Sequence, residues 1–199
     1  MLRKTPIPFA IAGAFSLLAV VGRARAGMVC ETTPAPTSPT TAPGIDALAC
    51  GNGNSAWGNW SHAIGSFNNA TEDDANAFGT ANVASGVGSN AFGNSNKAFG
   101  YASNAFGMYN IASNTYSSAF GILNTASGYE ASAFGAWGTA SGDGSTTLGY
   151  QNTVTSDFGT AIGSYGQVLG NTENASQGSI AIGGGDSSAT GARVGTATG

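Results

Sequence analysis

The stretch Ser89-Asn90-Ala91-Phe92-Gly93-Asn94-Ser95-Asn96-Lys97-Ala98-Phe99-Gly100-Tyr101-Ala102 decides the fold, because Ser103-Asn104-Ala105-Phe106-Gly107 begins it again. Within the stretch an Ala-x-Gly triplet occurs twice, seven residues apart. Followed in both directions, triplet centres fall at every seventh residue from Trp57 to Ser176, eighteen in all, with Ala before the centre in fifteen and Gly after it in fourteen. The centres alternate in kind. One parity holds Phe78, Phe92, Phe106, Phe120, Phe134, Leu148 and Ile162; the other holds Thr71, Ser85, Ser113, Ser127, Ser141 and Thr155, interrupted by Phe99 and Leu169. The full period is therefore fourteen residues, built from two similar halves, and a period sustained over most of a chain fixes its architecture before any local motif does.

A heptad coiled coil does not fit. It needs two large apolar positions and good helix formers, whereas here a glycine recurs in nearly every heptad, each costing a helix about 1 kcal/mol against alanine. Disorder does not fit either, since an unstructured linker has no reason to phase a large apolar side chain every fourteen residues. The remaining reading is an all-β, parallel β-roll or β-solenoid. Each half-repeat is expected to be a strand of about four residues ending in a turn, as in Asn90–Phe92, the turn Gly93–Asn96, and the returning strand Lys97–Gly100. Gly and Asn are expected in the turns because they tolerate positive φ. Coils stacked about 4.8 Å apart, roughly ten of them between Asn52 and Gly191, would make a rod roughly 45–50 Å long.

Alternation along a strand puts the Ala and Gly of each triplet on one face and the centre on the other. Two orientations are open. With Ala and Gly inside a thin roll, the Phe, Leu and Ile centres form an exposed ladder that calls for a partner, most economically other copies of the chain. With Phe inside opposite Ser, a monomer suffices.

Residues 1–26 have the form of a secretory signal peptide: the basic start Met1–Lys4, an apolar stretch from Ile7 to Val21, and an Ala24-Arg25-Ala26 cleavage site. Without it the chain keeps two basic residues, Lys97 and Arg193, against ten acids, a net charge of −8. Such a surface is ill suited to nucleic acid or anionic membrane, and the mature chain has no further apolar run long enough to span a bilayer. All six prolines lie at or before Pro43. Residues 27–51 read as a Thr/Pro-rich linker, and residues 52–199 as the repeat domain. Cys30 and Cys50 have three readings: an intrachain disulfide closing the linker, free or intermolecular thiols, or lipidation of Cys30.

The repeats resemble the head domains of the YadA-like trimeric autotransporter adhesins. The family motif runs roughly Asn-Ser-Val-Ala-Ile-Gly, and Ser179-Ile180-Ala181-Ile182-Gly183, Ser61-His62-Ala63-Ile64-Gly65 and Ser89-Asn90-Ala91-Phe92-Gly93 are similar to it. Its second half, Ala-Ser-Gly, appears at Ala84–Gly86, Ala126–Gly128 and Ala140–Gly142. The resemblance implies a left-handed roll, a side-by-side homotrimer whose seam is the column Phe78, Phe92, Phe106, Phe120, Phe134, Leu148 and Ile162, and display at a bacterial cell surface to hold matrix proteins, cells or other surfaces. The chain departs from the family pattern in preferring Phe where the family has Ile, and it shows no coiled-coil stalk or β-barrel anchor before Gly199.

No catalytic, cofactor-binding or metal-binding constellation is visible. His62 is the sole histidine and occupies an ordinary strand slot. Glu72-Asp73-Asp74 reads as a solvated loop rather than a cation site, and Trp57, Trp60 and Trp137 as core or interface residues. The expected function is adhesion by a multivalent head. The second reading is a structural, self-assembling or surface-layer solenoid; ice binding is disfavoured within it because the outward small residues mix Ser, Thr and Asn.

Overall fold

A computed structural model describes residues 27–31, 39–170, 178–187 and 190–195. The signal-peptide segment and most of the Thr/Pro run lie outside them. Within them the chain is a parallel β-solenoid with no helix. Its long strands, typified by Asn104–Met108, form one sheet of eleven, and its short strands, typified by Ile111–Ala112, form a facing sheet of ten. Every strand pairs in parallel with its equivalent in the next coil, so identical positions stack: Ala105 lies between Ala91 and Ala119, and Phe106 between Phe92 and Phe120. From Leu48 to Val168 the register advances fourteen residues per coil, giving nine coils.

The two halves of a coil are unequal. The long strand continues through its glycine to a fifth residue, and the short strand has only two. Gly93 thus belongs to the strand Asn90–Asn94, and the return is Lys97–Ala98 rather than Lys97–Gly100. At Gly107 φ is +117°, and a Cβ there would collide with the carbonyl oxygen of Gly121 in the next coil. The recurrent glycine therefore answers to backbone approach between coils as well as to conformation.

The interior is one methyl thick. Alanines from both sheets, from Ala49 to Ala140, make a single fully buried file. The exceptions compensate one another. Val154 and Val168 replace Ala, and Gly159 stands where other coils carry a buried Ser such as Ser117; a Cβ at Gly159 would lie 2.8 Å from Val154 Cγ1 and 3.0 Å from Val168 Cγ1. Thr147 likewise replaces Ala, and a Cβ at Gly138 would lie 2.7 Å from its hydroxyl oxygen. A core this dense tolerates added volume only where a neighbour gives up the same volume.

The asparagines of the first turn do not take the positive φ expected of them. That conformation falls on the preceding residue, whatever its type: Phe67, Ala81, Ser95, Tyr109, Leu123 and Gln151 have φ between 51° and 57°, and Trp137 (60°) and Tyr165 (56°) adopt it before Gly138 and Gly166, which stand in place of the asparagine. The Asn side chains instead point inward and are completely buried. Asn110 Nδ2 donates to the Phe106 carbonyl (2.9 Å) and to the Gly121 carbonyl of the next coil (2.7 Å), and also to Asn96 Oδ1 (3.0 Å). Its Oδ1 accepts the backbone N–H and the side-chain amide of Asn124. Asn54, Asn68, Asn82, Asn96, Asn110 and Asn124 form one unbroken column of this kind. Each left-handed residue costs roughly 1–2 kcal/mol, and the buried amide ties that turn to its neighbours.

Residues 27–31 and 39–51, assigned by composition to a linker, join the roll. Met28–Glu31 pairs with Leu48–Asn52, and Thr41 bridges to Ser55. Cys30 lies opposite Cys50 in that pairing, and the two are joined by a disulfide. At the other end the seven-residue beat breaks. The strand stacked on Thr160–Ser164 is Ile180–Gly183, with Ile182 over Ile162, twenty residues on; the last counted triplet, centred on Ser176, lies outside the described residues.

Replacing Asn110 by Ala takes the amide donor from the Phe106 and Gly121 carbonyls and leaves the buried Asn124 backbone N–H without its acceptor, Asn110 Oδ1. It should lower stability by about 2–4 kcal/mol, read as a lower midpoint in chemical denaturation followed by circular dichroism. An unchanged midpoint would show that the column is ornamental.

Candidate functional site

The candidate site is the outer face of the long-strand sheet. Phe78, Phe92, Phe106, Phe120 and Phe134 stack along it with ring centroids 4.7, 4.8, 4.9 and 5.2 Å apart and planes within 15° of parallel. The spacing is that of the coils themselves, so the rings inherit their alignment from the backbone. Cys50 and Ile64 continue the column at one end, and Leu148, Ile162 and Ile182 at the other. The seven residues expected at a seam are thus one column, facing away from the alanine interior. Within the chain Phe78, Phe92, Phe106, Phe120 and Ile162 are partly buried, and Phe134 and Leu148 remain 37% and 48% exposed.

A polar column lies beside them. His62 Nδ1 contacts Asn76 Oδ1 at 2.7 Å; Asn76 Nδ2 donates to Asn90 Oδ1, and Asn90 Nδ2 to Asn104 Oδ1, each at 3.0 Å. Since the Asn76 amide nitrogen is spent as a donor, its oxygen receives the His62 Nδ1–H. Between Leu48 and Ser164 the outward positions of this sheet carry no Asp, Glu, Lys or Arg.

The charge is elsewhere. Asp46, Glu72, Asp73, Asp74, Glu130, Asp143 and Asp157 all fall in the turn that leads from a short strand to the next long one. Part of this grouping is structural. Asp73 Oδ1 accepts the Asn59 N–H (2.8 Å), and Asp157 Oδ1 accepts the Asp143 N–H (2.9 Å), so the carboxylates cap turns one coil away. No group of three metal-ligating side chains occurs among the described residues. The same edge carries Tyr101, Tyr116 and Tyr129, packed edge to face at 5.6 and 6.1 Å. Trp57, Trp60 and Trp137, expected in a core or interface, are 59%, 52% and 52% exposed in the single chain.

Sequence reasoning located the apolar column from its period. It missed the confinement of acids to one edge, although the same fourteen-residue count applied to Asp and Glu reveals it.

Residues 112–136 and 140–165 each match the YadA head domain repeat. With the parallel solenoid, the two copies fit a YadA-like head domain. No curated protein matches the chain.

Hydrogen bonding to Glu130, and then its charge, hold the Tyr129 phenol above the usual tyrosine range, with smaller contributions from desolvation, Tyr116 and Asp143. Removing the carboxylate in Glu130→Gln removes the anion that opposes phenolate formation. Tyr129 should then ionise at lower pH than in the parent chain, measured by ultraviolet titration against a Tyr129→Phe control.

Proposed function

We propose that this chain is an adhesive head that works as a side-by-side homotrimer at a bacterial cell surface, holding matrix proteins, cells or other surfaces. The observation that carries the reading is the Phe column. Its rings stack without a break from Phe78 to Phe134, aligned by the coils, partly exposed in the single chain, and set in a face that carries no formal charge between Leu48 and Ser164. Monomeric soluble proteins avoid apolar patches of that extent. Three copies set side by side with coils level cover the column and leave the acidic edge in water, where its like charges are screened. The match to the YadA head repeat supports the same arrangement.

On this reading the binding is multivalent: three weak sites on one rigid rod raise avidity by about 10²–10⁴ over one. No chemical step enters it. His62, tied into the Asn column by its Nδ1, has no nucleophile or carboxylate among its hydrogen-bond partners, which supports a binding role. Export rests on the signal-like segment 1–26.

The double variant Phe106→Asp/Phe120→Asp tests the seam. The alanine interior and Asn column do not involve these side chains, so the expected product is a folded monomer, with the trimer lost in sedimentation and the β-sheet signal kept in circular dichroism. Adhesion to matrix-coated or cell-coated surfaces should fall about a hundredfold or more. A folded oligomer that survives both substitutions rules the seam out.

A further inference from the structure

The second sheet has an outer face that the seam does not use. From Ile111 onward each coil presents two outward side chains here, one from the short strand and one from the residue just after it, and the parallel register stacks them in columns: Thr125, Thr139 and Thr153 in one, with Ser127, Ser141 and Thr155 two residues along. Rungs repeat at about 4.8 Å, and the columns stand roughly 6.6 Å apart along the strands. The result is a grid of hydroxyls on a rigid sheet. Thr125, Thr139 and Thr153 are half-buried, and among the described residues none hydrogen-bonds their hydroxyls, whereas Ser141 Oγ donates to the Val154 carbonyl (3.3 Å) and Thr155 Oγ1 accepts the Gly170 N–H (3.1 Å).

Exposed aromatic side chains stand on both borders of this grid. Tyr109 and Trp137 occupy the turn entering the short strands, and Tyr116 and Tyr129 the turn leaving them. Charge narrows the chemistry. Outward positions of the short strands carry no charged side chain between Ile111 and Leu169; Lys97 lies one coil before and Arg193 at the far end. The bordering acids Glu130, Asp143 and Asp157 repel an anionic chain, and nothing on the face attracts one.

We infer that this face binds an extended, uncharged polysaccharide. Sugar hydroxyls pair with the Ser/Thr grid, and the C–H faces of the pyranose rings lie on the flanking Tyr and Trp rings, an arrangement suited to groups that are apolar on one side and polar on the other. Three similar rungs, Thr125/Ser127, Thr139/Ser141 and Thr153/Thr155, suit a polymer of repeating units, because successive sugars meet similar partners. The inference deepens the adhesive reading by naming a ligand class, and rests on it for its biological setting.

The test uses the purified chain from residue 27 onward with defined probes: insoluble cellulose and chitin, soluble neutral β-glucan, and, for contrast, heparin, polygalacturonate and collagen films. Retention on at least one neutral polysaccharide is expected, unchanged between low and high salt, with none on the two anionic polymers. Thr125→Val/Thr139→Val, which keeps shape and strand preference, and separately Trp137→Ala, should each weaken retention at least tenfold while circular dichroism and oligomeric state stay unchanged. Absence of retention on every neutral polysaccharide overturns the inference, as does retention indifferent to these substitutions, or collagen binding lost through them. A trimer that adheres to cells but ignores polysaccharides overturns this inference alone. Polysaccharide binding by a chain that is monomeric at all concentrations overturns the trimer and leaves the inference standing.

Discussion

The distance between the two sheets governs everything else in this molecule. The strands of each coil face one another across a gap that admits a methyl group and little more. Alanine fills it from both sides, and glycine is required where successive coils would otherwise collide. A conventional core gains stability from large buried side chains. Here the buried side chains are nearly the smallest available, so cohesion must come from elsewhere. It comes from continuous parallel pairing along two sheets and from the column of amides, Asn54 to Asn124, that bond upward, downward and across at successive first turns. The large apolar side chains, excluded from the inside, are left on the outside. A thin interior and a sticky exterior are therefore one fact about the sequence seen from two sides.

Much of this could be read from residue spacing. The period, the two-strand coil and the alignment of Phe in one column follow from where Ala, Gly and Phe recur; which face is the interior does not, because alternation along a strand allows either Ala or Phe inside, and the buried alanine file decides it. Asn is expected in the turns from sequence, but for its tolerance of positive φ, which is not what it supplies here. Asn serves both left-handed turns and buried hydrogen bonding, and only the backbone shows that the left-handed residue is its neighbour, be it Phe67, Tyr109 or Gln151. Strand lengths were misjudged for a related reason: Gly93 and its equivalents look like turn residues while they continue a strand.

The compositional boundary at Pro43 misled in a different way. Thr and Pro mark a change of character, yet Thr41 and Met28–Glu31 pair with the roll. Ladder pairing at the end of a stack asks little of sequence, since the coil below supplies the template. The exposed tryptophans show the converse. Size predicts burial in a domain with room inside, and this interior has none. The distribution of acids was legible in principle, because a solenoid converts position within the period into position around the rod, and the same count that finds the Phe column finds the acidic edge.

Stacking in strict register gives each residue position its own rail along the rod, and no rail depends on how many coils it crosses. Adding or deleting one fourteen-residue unit among the coils with an all-alanine interior and an unbroken Asn column would leave the remaining interior residues with equivalent neighbours above and below. Length in such a protein is thus nearly independent of fold. Recombination between its near-identical repeats could lengthen or shorten the reach of the head one rung at a time, leaving its surface chemistry intact.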